Sequence, residues 1–132
     1  MSDSLIEVLH DEVTLRVPAA AAYVSLIRTA AATLASRLDI PVDRIDDLRL
    51  AVDEACSLLL VHGQKEGQLE FQFQLFQPDS LRIHAQALSN GSPLRTSGFA
   101  WTVLSALVSD VEIEIFNNMV VISMTLDAAV TP

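Results

Sequence analysis

Residues 47–63 read DLRLAVDEACSLLLVHG, and their spacing decides the second half of a long helix. With Ile45 just upstream, the apolar positions Leu48, Val52, Ala55 and Leu59 fall three or four apart, the repeat of one buried helical face. Asp43, Asp46 and Asp47 sit where the positive end of a helix favours acids, with Asp43 placed as the N-cap. The pattern runs to about His62 and stops at Gly63. Inside it lies a carboxylate pair, Asp53 and Glu54, followed one turn after Glu54 by Leu58 and one turn later by His62.

Upstream, DIPVDR at 39–44 breaks the periodicity with turn residues Asp39 and Pro41. Before it an alanine-rich run after Pro18 forms a first helix, with Tyr23, Ile27, Ala30, Leu34 and Leu38 as its expected buried face and Arg28 on the outer surface. EVTLRV at 12–17 alternates as a half-buried strand, and LIEVLH before it leaves open whether another strand pairs there.

Downstream, QLEFQFQLF and LRIHAQAL alternate on either side of QPDS, a hairpin with one dry and one wet face. SNGSPLRTSG is loop by composition. FAWTVLSALVSD returns to helical spacing through Trp101, Leu104 and Leu107 or Val108, with Phe99 and Trp101 expected to fill core or pocket. VEIEIF, the turn Asn117–Asn118 and MVVISMTL make a second hairpin, and DAAVTP is a frayed tail. Strand, helix, helix, hairpin, helix, hairpin is the order of an α/β (α+β) two-layer sandwich. A mainly antiparallel mixed sheet is expected, covered on one face by three helices.

At 132 residues the chain has the size of one domain, 1–132, with a core expected over about 13–126. Hydrophobic residues make up 51% of it, yet no run approaches the roughly 18 apolar residues of a bilayer span. The start, MSDSLIEVLHDE, is acidic where a signal peptide is basic, so a cytoplasmic protein is expected. A net charge of −9 repels nucleic acid and anionic membranes and attracts a basic protein face, unless it serves only solubility. Cys56 is the single cysteine, which excludes an internal disulfide; its apolar neighbours point to a buried, inert thiol. His10, His62 and His84 are too scattered to suggest a metal site.

VPAAAAYVSLIRTAAATLA, IDDLRLAVDEACSLLLVHG and WTVLSALVSDVEIEI, in this order and separation, resemble anti-sigma factors of the serine-protein kinase type. These share the ATP-binding fold of histidine kinases and gyrase, and the likeness runs from about Val13 to Leu126, most like actinobacterial regulators of stress or development. It implies a histidine kinase-like ATPase fold, and for active members an ATP–Mg²⁺ site made of three boxes. In the first, Glu54 matches the general base and His62 the final histidine, but Leu58 stands where an asparagine binds Mg²⁺. An isobutyl group offers no oxygen to a hard cation, so no metal ligand is expected. In the second, Ser89 takes the place of the adenine-reading aspartate and Gly91 keeps the glycine; the plain alternative is a turn. In the third, only six residues separate Gly91 from Gly98, and Ala100 replaces the second glycine of a phosphate-holding lid.

The resemblance therefore implies a binding protein without a cofactor: an anti-sigma factor that holds an alternative sigma factor until an anti-anti-sigma (STAS-type) antagonist releases it. Arg28 falls at a partner-contacting position, the alternative being a solvated arginine, and a homodimer near the first strand and helix is implied. An active serine-protein kinase that phosphorylates its antagonist, or a non-catalytic adaptor on the same scaffold, are the other readings. Glu54 in the first case is an idle acid, solvated or paired with Arg49 or a neighbour.

Overall fold

The computed structural model describes residues 8–94 and 97–128. Five strands form one sheet: β1 (Val8–Pro18), β2 (Gln68–Gln77), β3 (Ser80–Leu88), β4 (Asp110–Phe116) and β5 (Met119–Asp127). Their spatial order is β1-β2-β3-β5-β4, and each of the four pairings is antiparallel. Three helices, α1 (Val24–Ala35), α2 (Val42–His62) and α3 (Ser97–Leu107), complete the two-layer sandwich expected from the sequence.

Period-two patterning places the core. Leu69, Phe71, Phe73 and Leu75 of β2 and Leu81, Ile83, Ala85 and Ala87 of β3 are all buried, while the glutamines and His84 between them are half-exposed on the open face. Phe71 and Phe73 lie with ring centroids 6.1 Å apart. The β4–β5 turn carries Asn117 at φ 51° and Asn118 at φ 62°, the left-handed pair that a two-residue hairpin needs and asparagine tolerates. Strand β1 is longer than the alternation suggested: Val8–His10 continue the same strand, with the register shifting between Leu9 and Asp11 so that His10 is the extra residue. Residues 5–7 of LIEVLH and 129–132 of the tail lie outside the described residues.

Three local expectations need correction. Helix α2 starts at Val42 with Pro41 as its N-cap, and Asp43 falls in the first turn without capping it. Pro41 sits in extended backbone while its carbonyl accepts from the amides of Arg44 and Ile45, so the fixed proline φ, not a carboxylate, sets the entry. The buried residues of α1 are Ile27, Ala31, Ala32 and Ala35; Ala30 and Leu34 are only half-buried and Tyr23 is exposed in a preceding 3₁₀ turn. Alanines occupy both faces of this run, so the stripe was underdetermined by apolarity alone. Ala100 and Leu104 of α3, with Val108 just past its end, point inward at i, i+4 and i+8, which turns Phe99 (72% exposed) and Trp101 (51% exposed) out of the core. Trp101 instead donates its indole N–H to the carbonyl of Val111 at 3.3 Å along β4.

One buried cation joins the layers. Arg44 reaches from the first turn of α2 to the carbonyls of Leu107 and Asp127, each at 3.3 Å, and to Ser109 Oγ at 3.3 Å. Leu107 ends α3, so the guanidinium satisfies an otherwise orphan helix-terminal carbonyl and sets the start of α2 beside the end of α3.

Candidate functional site

Helix α2 carries Asp53, Glu54, Leu58 and His62 past both neighbouring helices. Glu54 is half-buried beside an open depression of about 580 Å³ between α2 and α3, lined also by Leu50, Asp53, Ser57, Thr102, Val103, Ala106 and Leu107. Among the described residues no hydrogen bond or ion pair reaches its carboxylate; Arg49 pairs with Asp46 at 3.4 Å instead. Leu58, on the same helical face one turn on, is 4% exposed and belongs to the hydrophobic core.

The end of α2 is tied to the loop after β3. Gly63 closes the helix: a Cβ there would lie 2.5 Å from the carbonyl oxygen of Leu59 in the helix's own last turn and a tight 3.1 Å from Ala87 Cβ on β3, so the position favours glycine. Asn90 donates from its amide to the carbonyl of His62 at 2.9 Å and from its side chain to that of Val61 at 3.0 Å, satisfying two helix-terminal acceptors. Buried Ser89 accepts from the amide of Gly91 at 3.0 Å through Oγ, and Asn90 Oδ1 accepts from the amide of Ser92 at 2.9 Å. Gly91 sits at φ +87°, a left-handed position. The Ser89 hydroxyl is thus engaged in the turn itself. His62 is buried, its Nδ1 3.0 Å from Ser92 Oγ.

Gly98 lies in the first turn of α3, exposed, with no neighbour within 4 Å of where a Cβ would stand. Residues 95 and 96, just before α3, lie outside the described ones. Among the described residues no group of three or more histidines, cysteines and carboxylates could hold a metal ion, and no helix is long and apolar enough to cross a membrane.

Arg28 is on the far side of α2 from α3. It is not a freely solvated cation: its side chain is 38% exposed and its Nε donates to Asp53 Oδ1 at 2.8 Å. Together with Thr29, Thr33, Ser36 and Arg49 it lines a second depression of about 500 Å³, between α1 and α2. Sequence reasoning missed this Arg28–Asp53 pair and the staple made by Arg44, because each joins residues far apart in the chain. Cys56 is fully buried one turn after Asp53; burial pushes its thiol up to about 12, with a further push from Asp53 and a smaller opposing pull from Arg28.

An antiparallel five-stranded sheet under three helices, with a carboxylate-bearing central helix, a turn at its end and a third helix behind, is the layout of a histidine kinase-like ATPase domain. The chain belongs to that family, whose model matches residues 17–126. Within it, the chain is similar to the serine-protein kinase RsbW of Bacillus cereus strain B4264, 32% identical over 83 residues that make up 61% of this chain and 50% of the relative. The serine-protein kinase RsbW of Bacillus cereus strain Q1 is 31% identical over the same share of both. The chain thus spans about half the length of the curated relatives it matches. In fold it is similar to the crystal structure of the RsbU and RsbW domains of Rv1364c from Mycobacterium tuberculosis, with a TM-score of 0.69 and 15% identity over 89% of this chain and 32% of that one.

Proposed function

We propose that this protein is an anti-sigma factor working in the cytoplasm by partner switching: it holds an alternative sigma factor and yields it to an anti-anti-sigma antagonist, without turning over ATP. The likeness to RsbW serine-protein kinases supports the choice of partners. Leu58 carries the rest: the position one turn after Glu54, which matches the family's base, is a buried isobutyl group built into the core.

The residues present do not fit a magnesium nucleotide of the family's kind. Mg²⁺ takes oxygen ligands in near-octahedral order, and Leu58 supplies none. Ser89, at the adenine-reading position, has no carboxylate, and one lone pair of its hydroxyl is already taken by the Gly91 amide. Phosphoryl transfer depends on positioning and charge neutralisation around the metal and phosphates, so Glu54 alone has nothing to activate. The chain acts instead by binding. Its charge of −9 favours fast encounter with a basic partner face, and Arg28 on α1 is the residue assigned to contact partner protein.

One observation favours a second reading, a serine-protein kinase: Glu54 is half-buried in a depression and unpaired among the described residues, as a general base would be. Labelled ATP with Mg²⁺ and the purified antagonist decides between the two, alongside capture of the purified sigma factor. Sigma capture with no label on the antagonist is the expected result. Transfer at turnover assigns the kinase, and failure to hold any sigma factor removes the anti-sigma reading in favour of an adaptor.

A further inference from the structure

The depression beside Glu54 is flanked along both helices by exposed apolar side chains. On α2, Leu50, Glu54, Ser57 and Val61 fall along one stripe, and Leu50 (57% exposed) and Val61 are large apolar side chains left in solvent. On α3, Phe99, Val103 and Ala106 fall at the same kind of spacing, with Phe99 also exposed. Arg44, by joining the start of α2 to Leu107 at the end of α3, shows that the two helices run antiparallel, and Leu50, Glu54 and Ser57 face Val103 and Ala106 across one trough. Its lining on α2 runs from Leu50 to Ser57, seven residue steps or about 10 Å along the helix.

Apolar floor and acidic wall together restrict what lies there. Glu54 and Asp53, the latter paired with Arg28, are the charged residues of the lining, and among the described residues no lysine or arginine lines it. Anionic lipid is repelled by them and by the net charge of −9. A second copy laid groove to groove brings the same two carboxylates against each other. A basic amphipathic helix meets both requirements, burying a ridge of i, i+3, i+4 and i+7 side chains and placing a cation on the unpaired acid.

We infer that the trough between α2 and α3 is a docking site for an amphipathic helix of a partner protein, its apolar ridge on Val103 and Ala106 and a lysine or arginine on Glu54. This holds whether or not the partner is a sigma factor, so the test uses no sigma factor. A labelled helical peptide of about 18 residues, leucine on one face and lysine on the other, is titrated by fluorescence anisotropy. Its controls are the same residues scrambled and the same pattern with glutamate for lysine. The ordered Leu/Lys peptide binds saturably below about 100 µM, and the two controls bind at least about tenfold more weakly.

Ala106→Arg, which fills the exposed floor, weakens the ordered peptide by about tenfold or more, and Glu54→Gln by about threefold to tenfold. Glu112→Gln, on β4 and outside the trough, leaves it within about twofold. Unchanged melting curves keep these readings separate from misfolding. Equal binding by the scrambled peptide, an Ala106→Arg protein that binds as the parent does, or no saturable binding of the ordered peptide overturns the inference.

Discussion

Arg28 Nε donates to Asp53 Oδ1 at 2.8 Å, so the α1 cation that we propose for partner contact is held by α2 at the residue before Glu54. The pair sits between the two depressions, Arg28 lining one and Asp53 the other. Both side chains are more than a third exposed, so solvent screens the interaction and its stabilisation is at most about 1 kcal/mol.

Replacing Arg28 by Ala is expected to weaken partner capture by about tenfold or more while changing stability by less than about 1 kcal/mol. Asp53→Asn makes the comparison: it releases the same ion pair but keeps the guanidinium, so partner affinity is held or raised. Equal losses for both variants in a calorimetric titration with the partner remove Arg28 from the contact surface.

Cys56 gives a pH signature. Its thiol, raised to about 12 by burial, keeps its proton in the folded protein where the unfolded chain loses it from about pH 9 upward. A raised folded-state value means stability present below pH 9 and lost as pH climbs toward 12. Urea unfolding at pH 10 is expected to show a loss on the order of 1 kcal/mol relative to pH 8, and Cys56→Ala removes that increment. At pH 8 the native thiol resists a thiol reagent that labels the unfolded chain at once; rapid labelling of native protein contradicts the burial argument.

Arg44→Ala leaves the carbonyls of Leu107 and Asp127 without the guanidinium that joins them. Loss of buried charge-assisted hydrogen bonds is worth about 2–3 kcal/mol, to be read as a shift in urea midpoint at unchanged slope. Arg44→Lys recovers only part of it, since one ammonium cannot reach the spread of acceptors that the planar fork does.

Gly63→Ala places a methyl 2.5 Å from a backbone carbonyl oxygen. That carbonyl belongs to α2 itself, so relief requires the last turn of the helix to distort at its cap, and a loss of about 1–3 kcal/mol is expected in the same assay. Gly98→Ala, with open space around it, is expected to stay within about 0.5 kcal/mol or to stabilise α3 slightly.

Much of this architecture was legible because its signals are local. Alternation through Leu69–Leu75 and Leu81–Ala87 fixed which side of β2 and β3 is dry, and Asn117–Asn118 marked a tight hairpin. The 3.6-residue stripe and Gly63 bounded the C-terminal end of α2. Where the pattern was chemically ambiguous, reading failed: alanines on both sides of α1 do not choose a face, and an almost wholly apolar α3 does not say whether Trp101 or Ala100 turns inward. The placement of β5 between β3 and β4 is a tertiary choice that neither hairpin announces. The candidate site was read from the occupants of three positions, Leu58, Ser89 and Ala100. Its surroundings were not, since Arg28 meets Asp53 across 25 residues and Arg44 meets Asp127 across 83.

Calorimetric titration of the whole chain with ATP in excess Mg²⁺ tests the central claim most directly. With Leu58 buried where we propose that the family's metal ligand is replaced, and a neutral Ser89 at the proposed adenine position, no saturable heat is predicted up to about 1 mM nucleotide. A magnesium-dependent isotherm saturating in the micromolar range would contradict the account.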